Sequence, residues 1–494
     1  MKPDSSVKLE RWGIASAATL RWVLKALQLH YRQIIRLGQI LLDFLTVYTA
    51  NAFAYNLYLF FNLGKQHTDP TLYESLNLLV SVGAVLVFSS VGLYKETVGF
   101  VNIEETRKLI KGVFYAAITI FVISFFVREH PYSRITSVLA VPLNLILLYF
   151  QRLAISRIHR NFHRKGYGVR RCLVYGAGET GISIVRRLFH NRQLGWLPVG
   201  FLDDDPSKGG CSYRVTPGPE GFQLRVLGSW NDFEAAVETY QVNDLVVATP
   251  SDQRYVALER AMLGCQRQGI QYHFVPSAGP HLLPSLELQE VDGIPLFSPK
   301  NETPLVIYEL MKRGFDVSLA VISSLFLLPV FAIIALLIKL DSRGSVVFRQ
   351  KRTGWGGKDF VMYKFRTMHA ETPRYASAPS SSKDLRVTRV GKFLRRTSLD
   401  ELPQLINVVK GDMSLVGPRP EMPFIVASYN EQHRQRLNVK PGITGLWQIS
   451  GDRALQIHEN LEYDLYYIEN RSFFLDLAIL FQTLFSAFRG VGAW

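Results

Sequence analysis

The chain has 494 residues, 48% hydrophobic and 12% aromatic, with a mean hydropathy of +0.09. It is too long for one ordinary core, too apolar for a disordered chain, and points away from a purely soluble enzyme. The net charge of +15 alone fits nucleic acid or an anionic membrane, but its distribution decides: residues 1–165 carry +10, 166–300 carry −2 and 301–494 carry +7. The excess accompanies the greasy segments, as in a membrane protein, and no zinc-finger spacing or arginine-rich arm supports nucleic-acid binding. Cys172, Cys211 and Cys265 fit neither a metal site nor a disulfide framework and suit a reducing cytosol.

Four apolar stretches fill the first third: Ile34–Leu63, Leu72–Tyr94, Leu109–Val127 and Ile135–Ile155. Each reaches about 19 residues, enough to cross a hydrocarbon core as a helix. The first follows residues 1–33, a cytoplasmic N-terminal segment, and no small-residue cleavage site follows it, so it does not read as a cleaved signal peptide. Arg21, Lys25, Arg32 and Arg36 precede the first stretch, Lys95, Arg107, Lys108 and Lys111 lie between the second and third, and Arg157, Arg160, Arg164 and Lys165 follow the fourth. The other loops offer Lys65, and Arg128 with Arg134. This asymmetry predicts four transmembrane helices over 34–165 with both ends in the cytoplasm.

Residues 166–303 read as a soluble Rossmann-like α/β domain with a parallel, doubly wound sheet. Predicted strands are Cys172–Tyr175, Val199–Leu202, Leu245–Ala248 and Gln271–Val275, with helices at Ile182–Phe189 and Val256–Arg267. Gly176, Gly178 and Gly181 form a glycine fingerprint between strand and helix, and Asp203 stands where a ribose-binding acid would. They define a possible nucleotide site, against the plainer reading of a structural glycine-rich turn. Nothing beside that turn offers acid, base or nucleophile, so the domain is expected to regulate or assemble rather than catalyse.

A fifth apolar segment, Val317–Leu340, has Pro329 near its middle, where proline breaks a helical hydrogen bond and bends the chain. Lys312 and Arg313 precede it and Arg343, Arg349, Lys351 and Arg352 follow. A re-entrant helix over about 317–340 keeps both clusters on one side of the membrane. Residues 304–494 then read as a basic, mixed α/β region. Tyr375–Lys383 reads as a mobile loop near a site, and Phe473–Phe488 as a helix lying in the membrane interface.

The chemistry concentrates here. Arg395-Arg396-Thr397-Ser398-Leu399-Asp400-Glu401 sets adjacent carboxylates after an arginine pair, with Thr397 or Ser398 able to cap a helix starting at Leu399. An ionised aspartate can attack phosphorus and a second carboxylate can hold Mg²⁺. Arg419 stands between two prolines, Lys440 opens a glycine-rich turn containing Trp447, and Lys364 and Arg366 lie among aromatics. Arginine, lysine and Mg²⁺ converging on carboxylates is equipment for phosphoryl transfer.

In order, Lys312-Arg313-Gly314-Phe315-Asp316, the bent apolar segment, Tyr363–Met368, Ser398–Gln404, Gly411–Pro420 and Lys440–Gln448 closely resemble the bacterial sugar transferases, which are monotopic phosphoglycosyl transferases. Four spans and a Rossmann-like domain ahead of that core resemble the long form, the polyprenyl-phosphate hexose-1-phosphate transferases that initiate exopolysaccharide or O-antigen assembly. The resemblance implies a bacterial inner-membrane, multi-pass protein with its soluble domains in the cytoplasm. It implies ping-pong transfer of a hexose-1-phosphate from a UDP-hexose to undecaprenyl phosphate, with release of UMP. Asp400 would be the nucleophile, and Asp400 and Glu401 the Mg²⁺ ligands. Arg395, Arg419, Lys364, Arg366 and Lys440 would bind phosphates or substrate. A homodimer in the lipid bilayer is the expected assembly. The family often has Ser before the helix-breaking proline, where Leu328 stands here, and its Gly-Arg after the Trp turn reads Gly451-Asp452-Arg453. Absence of a long insertion after Met368 favours glucose over galactose.

Two readings from other classes compete. One is a membrane NAD-dependent nucleotide-sugar dehydratase or epimerase, for which Tyr308 and Lys312 have the spacing of a Tyr-x-x-x-Lys pair, but no second glycine fingerprint precedes them. The other is a non-catalytic polysaccharide-assembly scaffold, which leaves Asp400-Glu401 without a purpose.

Overall fold

A computed structural model describes residues 17–62, 70–94, 103–126, 134–164, 169–190, 195–215, 222–249, 254–275, 286–291, 294–299, 306–373, 384–449 and 461–488. The predicted loop Tyr375–Lys383, the Gly451-Asp452-Arg453 turn, and the loop cations Lys65, Lys95, Arg128 and Lys165 lie outside the described residues. The chain divides into two compact units, Met1–Val98 with Gly112–Ser277, and Gly99–Lys111 with Ala278–Trp494.

All four apolar stretches of the first third are helical: α1 (Ala17–Phe60), α2 (Pro70–Ser90), α3 (Ile103–Phe126) and α4 (Arg134–Arg164). Among the described residues, Thr71–Ser90 and Ile135–Ile158 are long and apolar enough to cross a membrane. Helix α1 packs against both α2 and α4. Polar groups enclosed there are paired with one another. Asp43 is fully buried against Arg152, Gln151 donates to Asp43 at 2.7 Å, and Asn144 donates to Asn51 at 2.9 Å. Away from water, an unpaired group of this kind would cost several kcal/mol, so pairing fixes how α1 meets α4.

The rest of the first unit is the predicted Rossmann-like α/β fold. It runs β1 (Arg170–Tyr175), α5 (Glu179–His190), β2 (Trp196–Leu202), β3 (Ser212–Arg214), β4 (Gln223–Gly228), α6 (Phe233–Tyr240), β5 (Asp244–Val247), α7 (Arg254–Gln268) and β6 (Gln271–Phe274). The sheet order is β3-β4-β2-β1-β5-β6, parallel except for the short edge strand β3, which pairs antiparallel with β4. Alternation along β1 serves both faces. Leu173 and Tyr175 pack with Phe233 and Ala261 of α6 and α7, while Val174 packs with Val185 and Phe189 of α5. Helices on both faces explain why these strands read as continuous apolar runs.

The second unit holds a hairpin of β7 (Leu286–Val291) and β8 (Ile294–Pro299) and then the bent apolar segment. That segment is two helices, α8 (Val306–Phe326) and α9 (Leu328–Asp341), at 62° to one another. Pro329 lies in the first turn of α9, where its missing N–H costs nothing, and the break falls at Leu327, just ahead of it. The remainder comprises β9 (Val347–Thr353) and β10 (Asp359–Phe365), an antiparallel pair, followed by α10 (Arg389–Thr397), a 3₁₀ turn at Leu399–Gln404 and α11 (Leu405–Lys410). Strands β11 (Ser414–Val416) and β12 (Gly442–Thr444) pair in parallel, with short turns α12 (Pro423–Val426) and α13 (Glu431–Arg434) between them. The elements α14 (Leu446–Ile449), α15 (Leu461–Asn470) and α16 (Phe473–Phe488) close the chain, α16 with the bounds the sequence predicts.

One apolar cluster sets the site. Ile334 and Ile338 of α9, Phe365 of β10 and Leu394 of α10 are buried together, with Leu399 and Leu402 packed on them. Leu399 and Leu402 are three apart on a 3₁₀ turn and therefore share a face. Asp400 and Glu401 between them are turned elsewhere.

Candidate active site

The carboxylate turn is entered through Ser398, a non-glycine residue in the left-handed region (φ 57°). The predicted hydroxyl cap does not form. Ser398 makes no side-chain cap bond, Thr397 donates back to Phe393 within α10, and the segment that follows is 3₁₀ rather than α. Asn407 of α11, fully buried, locks the turn to β10 by donating to Val361 O (2.7 Å) and accepting from Tyr363 N (3.1 Å). Alternation along β10 then points Phe365 into the apolar cluster and Lys364 toward the carboxylates.

Glu401 is clamped from two separate elements. Lys364 Nζ and Arg419 each donate to its Oε1, at 2.8 and 2.9 Å. Burial works against an ionised Glu401, but Arg419 and Lys364 together outweigh it and hold the carboxyl at about 2. Burial also pulls the Lys364 ammonium downward, against the attraction of Glu401.

Asp400 is treated differently. It is 8% exposed, and among the described residues its carboxylate accepts no hydrogen bond. Burial pushes it up to about 6, with Glu401 adding to the rise and Lys364, Arg395 and Arg419 opposing it. A carboxylate among cations yet bound to none keeps its lone pairs available for attack. Arg395 sits in the last turn of α10, its Nε on Thr367 Oγ1 at 3.1 Å. Two carboxylates and three cations leave a net positive charge, which suits a phosphate-bearing ligand.

A small cleft beside this group is lined by Arg352, Met362, Lys364, Glu401, Gln404, Arg419, Pro420, Gly442 and Ile443. Of the residues expected to meet here, Asp400, Glu401, Lys364, Arg395 and Arg419 do. Arg366 does not: its guanidinium donates to the carbonyls of Ser342 (2.7 Å) and Arg343 (2.9 Å), just past the C-terminus of α9, where a cation is favoured. Lys440 lies 5.9 Å from the Trp355 ring centroid and is not among the cleft residues. Arg352 and Gln404 also line the cleft, and neither stands out as a site residue in the sequence. Arg352 was visible only as one of a run of cations after the bent segment, and nothing in the pattern separated it from Arg349 or Lys351.

Among the described residues no three acidic, His or Cys side chains gather as a metal site. Asp400 and the second oxygen of Glu401 are hard donors of the kind Mg²⁺ uses in ones or twos beside substrate phosphates, so they fit that ion.

At the glycine turn of the first unit, Gly176 has φ +113° and a Cβ there would meet Ala248 O. A Cβ on Gly181 would collide with Gly176 O, whereas Gly178 has open space. Asp203 lies at the end of β2 beside the turn, as expected, but Ala177 N–H (2.8 Å) and Lys208 Nζ (3.0 Å) both bond its Oδ2.

Comparison with known proteins agrees with these two units. Residues 307–490 match the family described as bacterial sugar transferase, and residues 89–257 match a family described as a CoA-binding domain. The chain belongs to the bacterial sugar transferase family. It is 33% identical over 346 residues, covering 67% of this chain and 71% of the other, to a Klebsiella pneumoniae protein named UDP-glucose:undecaprenyl-phosphate glucose-1-phosphate transferase. An Escherichia coli (strain K12) protein of the same name is 43% identical over 220 residues, 42% of this chain and 46% of that one. A UDP-N-acetylgalactosamine-undecaprenyl-phosphate N-acetylgalactosaminephosphotransferase from Aeromonas hydrophila is 42% identical over 38% of this chain and 46% of its own. The matched region thus spans about half the length of the Escherichia coli and Aeromonas relatives.

Proposed function

We propose that this protein transfers a hexose-1-phosphate, most simply glucose-1-phosphate, from a UDP-sugar to undecaprenyl phosphate and releases UMP. The reading rests on the Asp400–Glu401 pair: one carboxylate clamped by Lys364 and Arg419, the other buried among the same cations and, among the described residues, without a hydrogen bond. In the first half-reaction an Asp400 oxygen bonds to the β-phosphorus. The bond from that phosphorus to the bridging oxygen breaks, and UMP leaves with the oxygen. In the second, a phosphate oxygen of the polyprenyl acceptor bonds to the same phosphorus and the Asp400–phosphorus bond breaks, giving a lipid diphosphate sugar. Arg395 and Arg419 hold phosphate oxygens, and Lys364 keeps Glu401 ionised and in place. Mg²⁺, held by Asp400 and Glu401, would supply charge neutralisation on the diphosphate.

The wider reading follows the same line. Four transmembrane helices over residues 34–165, the bent pair α8–α9 as a re-entrant element, and soluble parts facing the cytoplasm agree with the positive-inside charge distribution. A homodimer in the inner membrane and a place at the first membrane step of exopolysaccharide or O-antigen assembly complete the proposal. The name of the Klebsiella relative favours glucose.

Asp400→Asn keeps size and removes the nucleophile. With a panel of UDP-sugars and undecaprenyl phosphate, the variant is expected to insert and fold but to release no UMP. Near-normal UMP release would exclude the covalent route. UMP release from the unaltered protein with UDP-N-acetylgalactosamine but not UDP-glucose would correct the sugar.

A further inference from the structure

Arg419 is exposed enough to meet a substrate, yet it stands on a short turn, Pro418-Arg419-Pro420, whose prolines supply no N–H to anchor it. Gly442 N–H holds the Pro418 carbonyl at 2.9 Å, and Arg352 reaches the Pro420 carbonyl. The carbonyl of Arg419 itself is held by Arg436, only 5% exposed, in the turn after α13. Its NH2 donates to Arg419 O at 3.1 Å, its NH1 donates to Tyr429 OH, and its Nε pairs with Asp464 Oδ2 of α15 at 2.8 Å. Glu421, two residues beyond Arg419, lies 3.9 Å from the same guanidinium. Asp464 and Glu421 are 3% and 7% exposed. Backbone bonds continue the strip, since Thr353 N and Glu421 O pair at 2.9 Å and so tie it to β9.

We propose that Arg436 is a positioning residue for the transfer reaction: it fixes the backbone that carries Arg419, and thereby sets the guanidinium that clamps Glu401 and meets the substrate's phosphates. This rests on the function proposed above.

The physical reason for arginine is geometric. A guanidinium presents five donors in a rigid fork, so one side chain reaches a carbonyl, a phenol and a carboxylate at once. A lysine would keep the charge near Asp464 and Glu421 but cannot span all three directions. Buried charge would remain compensated while the Arg419 carbonyl lost its tether. The consequence falls on ligand geometry, because a displacement of about 1 Å at a group that orients a substrate costs up to roughly 100-fold in rate. Arg436 does not itself line the cleft around Glu401; it reaches that cleft through its bond to Arg419, which does.

The test is a double-mutant cycle on the full-length protein in detergent or nanodiscs, with UDP-glucose and undecaprenyl phosphate and UMP as the readout. Arg436→Lys should raise KM for the UDP-sugar roughly tenfold with a smaller change in kcat. Because the effect passes through Arg419, Arg436→Lys added to Arg419→Lys should cost less than about twofold more than Arg419→Lys alone. An unchanged KM, or penalties that multiply in the double variant, overturns the proposal. If Arg436→Lys does not fold, Tyr429→Phe replaces it. That change removes one acceptor of Arg436 and leaves every charge paired, and in the protein that remains folded KM should rise about two- to threefold, with a modest fall in melting temperature. A wild-type KM there also overturns it. Asp400→Asn, run in parallel, separates the two ideas: UMP release that survives Asp400→Asn defeats the proposed reaction, whereas a silent Arg436 cycle in an Asp400-dependent enzyme defeats only the positioning role.

Discussion

The glycine turn of the first unit and the carboxylate turn of the second both carry the marks of an anion site, and they differ in where their own charges go. At the glycine turn, Asp203 is bonded by Ala177 N–H and by Lys208, the very groups an incoming phosphate would use. Asp203 and Lys208 pair there within five residues of sequence, and Asp204 and Asp205 leave the segment net negative. At the carboxylate turn, Arg395 comes from the adjoining α10, but Lys364 on β10 and Arg419 after β11 are brought in from distant parts of the chain, and the three cations outnumber the two acids. Surplus positive charge assembled by tertiary structure marks a site for phosphate; charge neutralised locally marks a finished turn.

Removing a cation from the second site should have the largest effect. Lys364→Met leaves Glu401 with one partner and Asp400 with less positive charge nearby. UMP release should fall about 100-fold, the usual cost of deleting one preorganised donor from a charged site. The pH profile carries the sign. Asp400, pushed up to about 6 by burial, must be ionised to attack, so the unaltered enzyme loses rate as pH falls through about 6. Lys364 opposes that rise, so in the variant the same limb should move to higher pH. A limb that stays in place, measured from pH 5 to 8.5, would show that Asp400 does not govern it.

The two regions were not equally legible in the sequence. Strands β1, β2 and β5 and helices α5 and α7 are legible within a few residues, because a parallel sheet buried on both faces leaves continuous apolar runs; β6 is legible too, although it is an exposed edge strand. Strands β3 and β4 are not legible, since Ser212–Arg214 is a short exposed edge and Gln223–Gly228 beside it mixes polar with apolar residues. Asp400, Glu401, Lys364, Arg395 and Arg419 could be picked out as phosphoryl-transfer equipment. Arg366 and Arg419 could not be told apart, because the carbonyl ends of α9 that engage Arg366 exist only once the bent pair is folded. Arg436, Glu421 and Asp464 carry no local signal at all: their pairing brings together residues 15 and 28 apart in sequence, and only burial distinguishes them from surface charges.

A change confined to the glycine turn should produce a smaller and different effect. In Gly181→Ala the new Cβ collides with Gly176 O, a backbone atom that cannot swing aside. Destabilisation of the first unit by on the order of 3 kcal/mol is expected, seen as an earlier melting transition or easier proteolysis within residues 166–277. UMP release by the protein that remains folded should stay within about twofold. Loss of UMP release in step with a single shared melting transition would mean that the two units do not act independently.

The smallest effect separates two roles for Asp203. If its carboxylate serves the turn itself, Asp203→Ala removes the acceptor of Ala177 N–H and the partner of Lys208, a loss of about 1 kcal/mol for a partly exposed group. UMP release should be unchanged, and addition of NAD should leave the melting temperature of both proteins where it was. If instead the carboxylate holds a ribose, NAD should stabilise the unaltered protein, and Asp203→Ala should abolish that shift. The existing bonds favour the first outcome, because a ribose hydroxyl would have to displace a backbone N–H and an ammonium that the fold already places within 3.0 Å of Asp203. Melting curves of the two proteins with and without NAD therefore decide whether the glycine turn of this chain is a binding site or a structural corner.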